Sequence, residues 1–162
     1  MHVPAYREGK TRLDAKSDVW LYSFDYFNPS AFPDNHLNKG SFHFMDLTYL
    51  FGIKIYPFQF NAQDEDMFET MSILWTNFAK FGDPTKQPVK GVVWNKINDE
   101  RPDEFLKINN QLQSDEGYNR KAVAFWLNLL PDLENLKLID TDKSIFPEEP
   151  IESPADFLRD EL

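Results

Sequence analysis

The run from Val19 to Phe27, Val-Trp-Leu-Tyr-Ser-Phe-Asp-Tyr-Phe, places large apolar or aromatic groups at nearly every position. Such a run predicts a strand covered on both faces, as in the interior of an α/β sheet. From Asp64 to Phe81 the spacing changes. Met67/Phe68, Met71, Leu74/Trp75 and Phe78 recur at three and four residues and predict a helix with one apolar face. Asp64, Glu65 and Asp66 sit in its first turn, where the helix dipole favours negative charge. Asn61 or Asp64 is placed to cap it, and Gly82 with Pro84 ends it. A second helix is predicted from about Asp115 to Leu130, with Val123, Trp126 and Leu130 on one face and Pro131 beyond. Val92–Trp94 and Phe105–Ile108 predict short strands, the latter alternating apolar and polar.

Between these elements the pattern weakens. Residues 1–18 are polar and charged without a sustained period, and Asn28–Lys39, with Pro29, Pro33, Asn35 and Asn38, reads as a loop. Ile53–Phe60 is apolar but broken by Pro57, hence irregular or an edge segment. From Leu133 the chain turns acidic and carries Pro147, Pro150 and Pro154, predicting an extended tail. No internal repeat is present.

The stretch Gly40–Gly52 stands out chemically. It holds His43, an acidic residue three positions later (Asp46), and an apolar run closed by glycine, all downstream of the strand-like segment. Phe42, Phe44 and Met45 surround His43, and Gly40 permits a close backbone approach. An imidazole in such a setting suits general-base work. The alternative is a histidine that satisfies a hydrogen bond inside an apolar loop. His2 is terminal and His36 lies in a polar loop, so surface positions account for both.

Composition narrows the function classes. A length of 162 residues supports one real core, and an aromatic fraction of 15% implies extensive packing surface. The formal charge of −10 argues against nucleic acid or an anionic membrane as partner. Without cysteine there is no disulfide framework, thiolate metal site or Cys nucleophile. With no second histidine at helical spacing, neither a metal nor any other cofactor is implied. No segment reaches the roughly 18 apolar residues that span a membrane, and the first residues lack the apolar core of a signal peptide.

Val19–Tyr26 resembles the strand that leads to the catalytic histidine in type-B carboxylesterases, the cholinesterase-like branch of the α/β-hydrolases. Gly40-Ser41-Phe42-His43, followed by Asp46, Leu47, Tyr49, Leu50, Phe51 and Gly52, resembles that family's Gly-x-x-His segment and its short helix. Trp75-Thr76-Asn77-Phe78-Ala79-Lys80-Phe81-Gly82-Asp83-Pro84 is similar to its Trp-x-x-Phe-Ala-x-x-Gly-x-Pro helix end. Trp94, Phe105–Ile108, Phe125-Trp126 and Pro131 follow in the family's order, so the resemblance runs from about residue 3 to Pro131.

The resemblance implies the C-terminal part of an α/β-hydrolase fold: one core strand, the His loop, two main helices, a short edge strand and an acidic tail. Residues 1–131 form the esterase portion and 132–162 the tail. His43 becomes the triad histidine, taking a proton from a serine and returning it to the leaving alcohol. Asp46 falls on an acidic position behind the site, where orienting water or the loop competes with N-terminal capping of the short helix. The family often has a small residue after the histidine, where this chain carries Phe44.

In an α/β-hydrolase the serine and the acid precede the histidine. No Gly-x-Ser-x-Gly and no glycine-rich oxyanion segment occurs here, and Asp14 and Asp18 are surface-like. The expectation is therefore a C-terminal segment of a serine carboxylesterase acting on small-molecule esters, inactive alone for want of nucleophile, acid and oxyanion hole. The alternatives are a non-catalytic cholinesterase-like binding or adhesion protein, and a dead partner of an intact esterase. The terminal Arg159-Asp160-Glu161-Leu162 resembles receptor-read retrieval signals, which implies the endoplasmic reticulum lumen and a retrieval receptor as partner.

Overall fold

In the computed structural model, which describes residues 2–54 and 57–136, the aromatic run becomes a strand over Tyr22–Phe24 (β1). It pairs in parallel with Phe105–Ile108 (β2), Tyr22 opposite Leu106, and β2 pairs antiparallel with Gln113–Asp115 (β3). Bonds beyond the strand extend this ladder: Leu106 N–H donates to the Leu21 carbonyl at 2.9 Å and Asp25 N–H to the Ile108 carbonyl at 2.8 Å. The order β1-β2-β3 makes Phe105–Ile108 the central strand among the described residues and leaves β1 at an edge. β1 thus has one hydrogen-bonded neighbour among the described residues, on the Phe105–Ile108 side.

Both faces of β1 are nonetheless packed, as its unbroken apolar run requires. Leu21 lies with Ile97, Phe105 and Tyr118. Trp20, Tyr22 and Phe24 pack against the larger cluster that includes Tyr49, Met71, Leu74, Leu106 and Ile108. Alternation along an extended chain sends these two sets to opposite sides.

A helix over His2–Asp14 (α1) replaces the aperiodic segment expected at 1–18. Its signal was thin: Tyr6, Gly9 and Leu13 share one face at spacings of three and four, and Pro4 falls in the first turn, where no intrahelical N–H is needed. Tyr6 and Leu13 pack against the Leu21 cluster. Gly9 lets the helix approach closely, because a Cβ there would stand 3.0 Å from a methyl of Leu21.

The periodic helix runs Ala62–Phe81 (α3), preceded by a shorter one, Met45–Phe51 (α2). Of the two candidate caps for α3, Asn61 holds the position. Its side chain accepts from the N–H groups of Gln63 and Asp64, while the Asp64 carboxylate accepts from Asn61 N–H. Gly82, at φ 66°, ends the helix as expected, its N–H on the Phe78 carbonyl. Met67, Met71 and Leu74 are buried on the expected face, each such side chain contributing about 1.5–3 kcal/mol. Phe68 and Phe78 flank that face and remain exposed.

Val92–Trp94 is not a strand. Val89 and Val92 exchange both backbone bonds around Lys90 and Gly91, whose φ values of 51° and 77° define a tight I′-like turn. Ile53, Lys54 and residues 57–60 form neither helix nor strand. The helix expected from Asp115 begins later, because Gln113–Asp115 is taken by the sheet, and its first segment is Arg120–Ala124 (α4).

The chain divides into units at 1–123 and 124–162. Within the second, a π-helical turn at Phe125–Leu129 passes into a helix at Leu130–Asn135 (α5). Pro131 therefore does not stop the helix as expected. It occupies the first turn of α5, where its missing N–H is tolerated. The terminal Arg159–Leu162 and most of the predicted acidic tail lie outside the described residues.

Candidate active site

The segment carrying His43 is tied to β1 at each end. Before it, Ser41 Oγ donates to the Phe24 carbonyl at 2.7 Å. After it, the Tyr22 hydroxyl donates to Asp46 Oδ2 at 3.0 Å. Between these ties the chain makes a turn, with Met45 N–H on the Phe42 carbonyl at 3.0 Å and His43 and Phe44 as its central residues. Met45 is buried and starts α2, so the turn is anchored below and open above.

Phe44 explains why a small residue suits the position after the histidine. Its φ of 73° and ψ of 1° lie in the left-handed region, where a side chain is strained by roughly 1–2 kcal/mol. The exposed His43 imidazole lies against the Phe44 ring, centroids 3.7 Å apart at 32°. Phe42, on the other side, packs edge-on to Phe32 at 5.7 Å. The imidazole is therefore exposed with Phe44 against it, rather than surrounded by Phe42, Phe44 and Met45.

Asp46 is the second residue of α2 rather than its cap, the cap position being Phe44 without a side-chain bond. Its Oδ1 accepts from Leu47 N–H at 3.1 Å and its Oδ2 from Tyr22, so each oxygen has a partner other than His43. It can act on the histidine by fixing the start of α2 relative to β1. Burial raises the Tyr22 hydroxyl's pKa, and the Asp46 carboxylate raises it further, which keeps this hydroxyl a donor.

A cleft of about 590 Å³ beside the turn is lined by Trp20, Tyr22, Phe42, His43 and Asp46 together with Arg12 of α1. Asp18 is engaged at the surface with Lys96 at 2.8 Å, and Asp14 is exposed. Neither is brought to His43. No group of three His, Asp or Glu suited to a metal ion occurs among the described residues, and none of their helices is long and apolar enough to cross a membrane.

Two side chains form a pair that the sequence pattern does not announce. Tyr49, fully buried in α2, and Asp64, fully buried at the start of α3, are joined by a 2.8 Å hydrogen bond. The Asn61-x-x-Asp64 capping pattern was visible, but nothing local announces that this carboxylate faces inward.

The sequence signature of the carboxylesterase family matches residues 1–126. Human neuroligin-2 is 30% identical over 154 residues, covering 83% of this chain and 18% of its own length. Esterase cest-33 of Caenorhabditis elegans is 32% identical over 112 residues, covering 67% of this chain and 20% of its own length. Rat bile salt-activated lipase is 35% identical over 121 residues, covering 71% of this chain and 19% of its own length. The chain thus spans about a fifth of the length of these three curated relatives. A parallel pairing at β1, a histidine turn leading into a short helix, and a family match over most of the chain agree: the chain belongs to the carboxylesterase family and carries part of its α/β-hydrolase fold.

Proposed function

We propose that this chain supplies the general base of a serine carboxylesterase, with His43 as the reacting imidazole and Asp46 as a residue that holds its helix. The observation that carries this reading is the His43 turn itself. An exposed imidazole stands at the head of a short helix, on a turn hydrogen-bonded to the core strand on either side. Such a base, next to a serine hydroxyl, would take its proton during acylation and return it to the leaving alcohol. Residues 1–131 form the esterase portion on this reading, with small-molecule esters as substrates.

A second reading, a cholinesterase-like binding or adhesion protein without catalysis, is favoured by the extent of the match to neuroligin-2. Labelling of the protein that carries this chain with a fluorophosphonate probe, which reacts with activated serines, separates the two. The esterase reading expects labelling together with hydrolysis of a short-chain p-nitrophenyl ester. Neither signal from a folded protein would favour the binding reading.

We further propose residence in the endoplasmic reticulum lumen through a retrieval receptor reading Arg159-Asp160-Glu161-Leu162. Removing these residues from a lumenal reporter fused to the tail should release it into the medium. Unchanged retention would overturn the assignment.

A further inference from the structure

Asp64 has no exposed surface, and both of its oxygens are filled. Oδ1 accepts from the Tyr26 hydroxyl at 2.9 Å and the Tyr49 hydroxyl at 2.8 Å. Oδ2 accepts from Asn61 N–H at 2.9 Å and from the Asn28 side-chain amide. A buried carboxylate is costly unless its lone pairs are satisfied, so each of these donors is strongly constrained in place.

Capping of α3 explains only one of them. The capping box uses the bond to Asn61; Tyr26, Tyr49 and Asn28 lie outside it. Their positions in the chain are informative. Tyr26 and Asn28 follow β1 directly, at the point where the chain leaves the sheet. Tyr49 lies in α2, where the chain returns after the His43 turn. Departure and return of the excursion that carries His43 thus meet on a single carboxylate. Burial, then the bond to Asp64, raises the pKa of both Tyr26 and Tyr49, so the two hydroxyls remain donors across the neutral range.

We infer that Asp64 is a positioning residue for His43: it fixes α2 through Tyr49 against the exit of β1 through Tyr26 and Asn28, and so sets where the imidazole stands. The inference deepens the reading of His43 as the reacting base and rests on it, but its test does not require turnover. Asp64 does not touch the imidazole. It acts through α2, at whose head the turn lies.

The test is footprinting by diethylpyrocarbonate with mass spectrometry on the full chain, below its melting transition. The modification rate of His43 is read as a ratio to that of His2, which lies on α1 and bonds the Tyr118 hydroxyl at 3.2 Å. Asp64→Asn is expected to raise that ratio several-fold, as α2 loosens and the imidazole leaves the Phe44 ring. Tyr49→Phe, a milder change, is expected to raise it in the same direction and serves as the deciding variant should Asp64→Asn fail to fold. Leu74→Ala, on the same helix as Asp64 and equally buried, controls for general destabilisation and is expected to lower the Tm while leaving the ratio within about twofold. An unchanged or lower ratio in folded Asp64→Asn or Tyr49→Phe protein would overturn the inference, as would an equal rise in Leu74→Ala. Failure here leaves the general-base reading standing, because that reading is judged by ester turnover.

Discussion

The turn at Phe42–Phe44 and the knot around Asp64 lie at opposite ends of one short helix and are built on opposite principles. At the turn, His43 and both flanking phenylalanines are exposed, and Phe44 holds a left-handed backbone that suits glycine better. At the knot a carboxylate, two tyrosines and an asparagine are shut away from water with the carboxylate's oxygens matched to donors. The open end offers access; the closed end offers rigidity. Seven residues of helix, Met45–Phe51, connect them. On the proposal that His43 meets a substrate, it cannot itself be packed, and its placement has to be supplied from a distance.

Substitution at the two ends should separate them widely. Asp64→Ala leaves several buried donors without an acceptor and should lower stability by about 3–5 kcal/mol, measured by urea unfolding. His43→Ala, at an exposed position, should change it by less than about 0.5 kcal/mol. Comparable losses at the two sites would erase the distinction.

Alkaline pH probes the knot by another route. Tyr22, Tyr26 and Tyr49 have folded pKa values raised by burial first and by their Asp46 or Asp64 partners second. Unfolded tyrosines titrate near about 10. A group raised on folding contributes stability that is fully present below the unfolded pKa and lost as pH rises toward the folded one. Stability should therefore fall above about pH 10, and Tyr49→Phe should flatten that fall while removing about 1 kcal/mol at neutral pH. An equally steep alkaline loss in Tyr49→Phe would show that these hydroxyls do not govern it.

Smaller effects are expected away from the knot. Phe44→Gly relieves the left-handed strain but adds unfolded-state freedom, giving a net gain of no more than about 1 kcal/mol in thermal unfolding. A clear loss would mean that the His43–Phe44 ring contact outweighs the backbone strain. Arg12→Ala breaks the exposed Arg12–Glu8 pair and should shift stability by no more than about 0.5 kcal/mol.

How far these features could be read in advance depended on whether their cause was local. The α3 helix was legible because periodicity, cap and stop all sit within its own residues. The role proposed for His43 rests on the family pattern that surrounds it. By contrast, α1 has only Tyr6, Gly9 and Leu13 as its buried-side signal, and its helix is completed by packing against Leu21 and Tyr118. Pro131 looked like a stop because a proline following a π turn at the start of a new helical segment has the same local sequence as one ending a helix. The inward turn of Asp64 was hidden for the same reason. Its partners Tyr26 and Asn28 lie far back in the chain, and an acidic residue in a first helical turn is ordinarily solvated.

The central claim is that His43 is the base that turns over ester. The most direct test is the hydrolysis of a p-nitrophenyl ester by the serine-containing protein that carries this chain, comparing wild type with His43→Ala at equal folded fraction. Loss of about 10⁴-fold in kcat, with the urea midpoint unchanged, is the predicted result. Turnover within tenfold of wild type would contradict it.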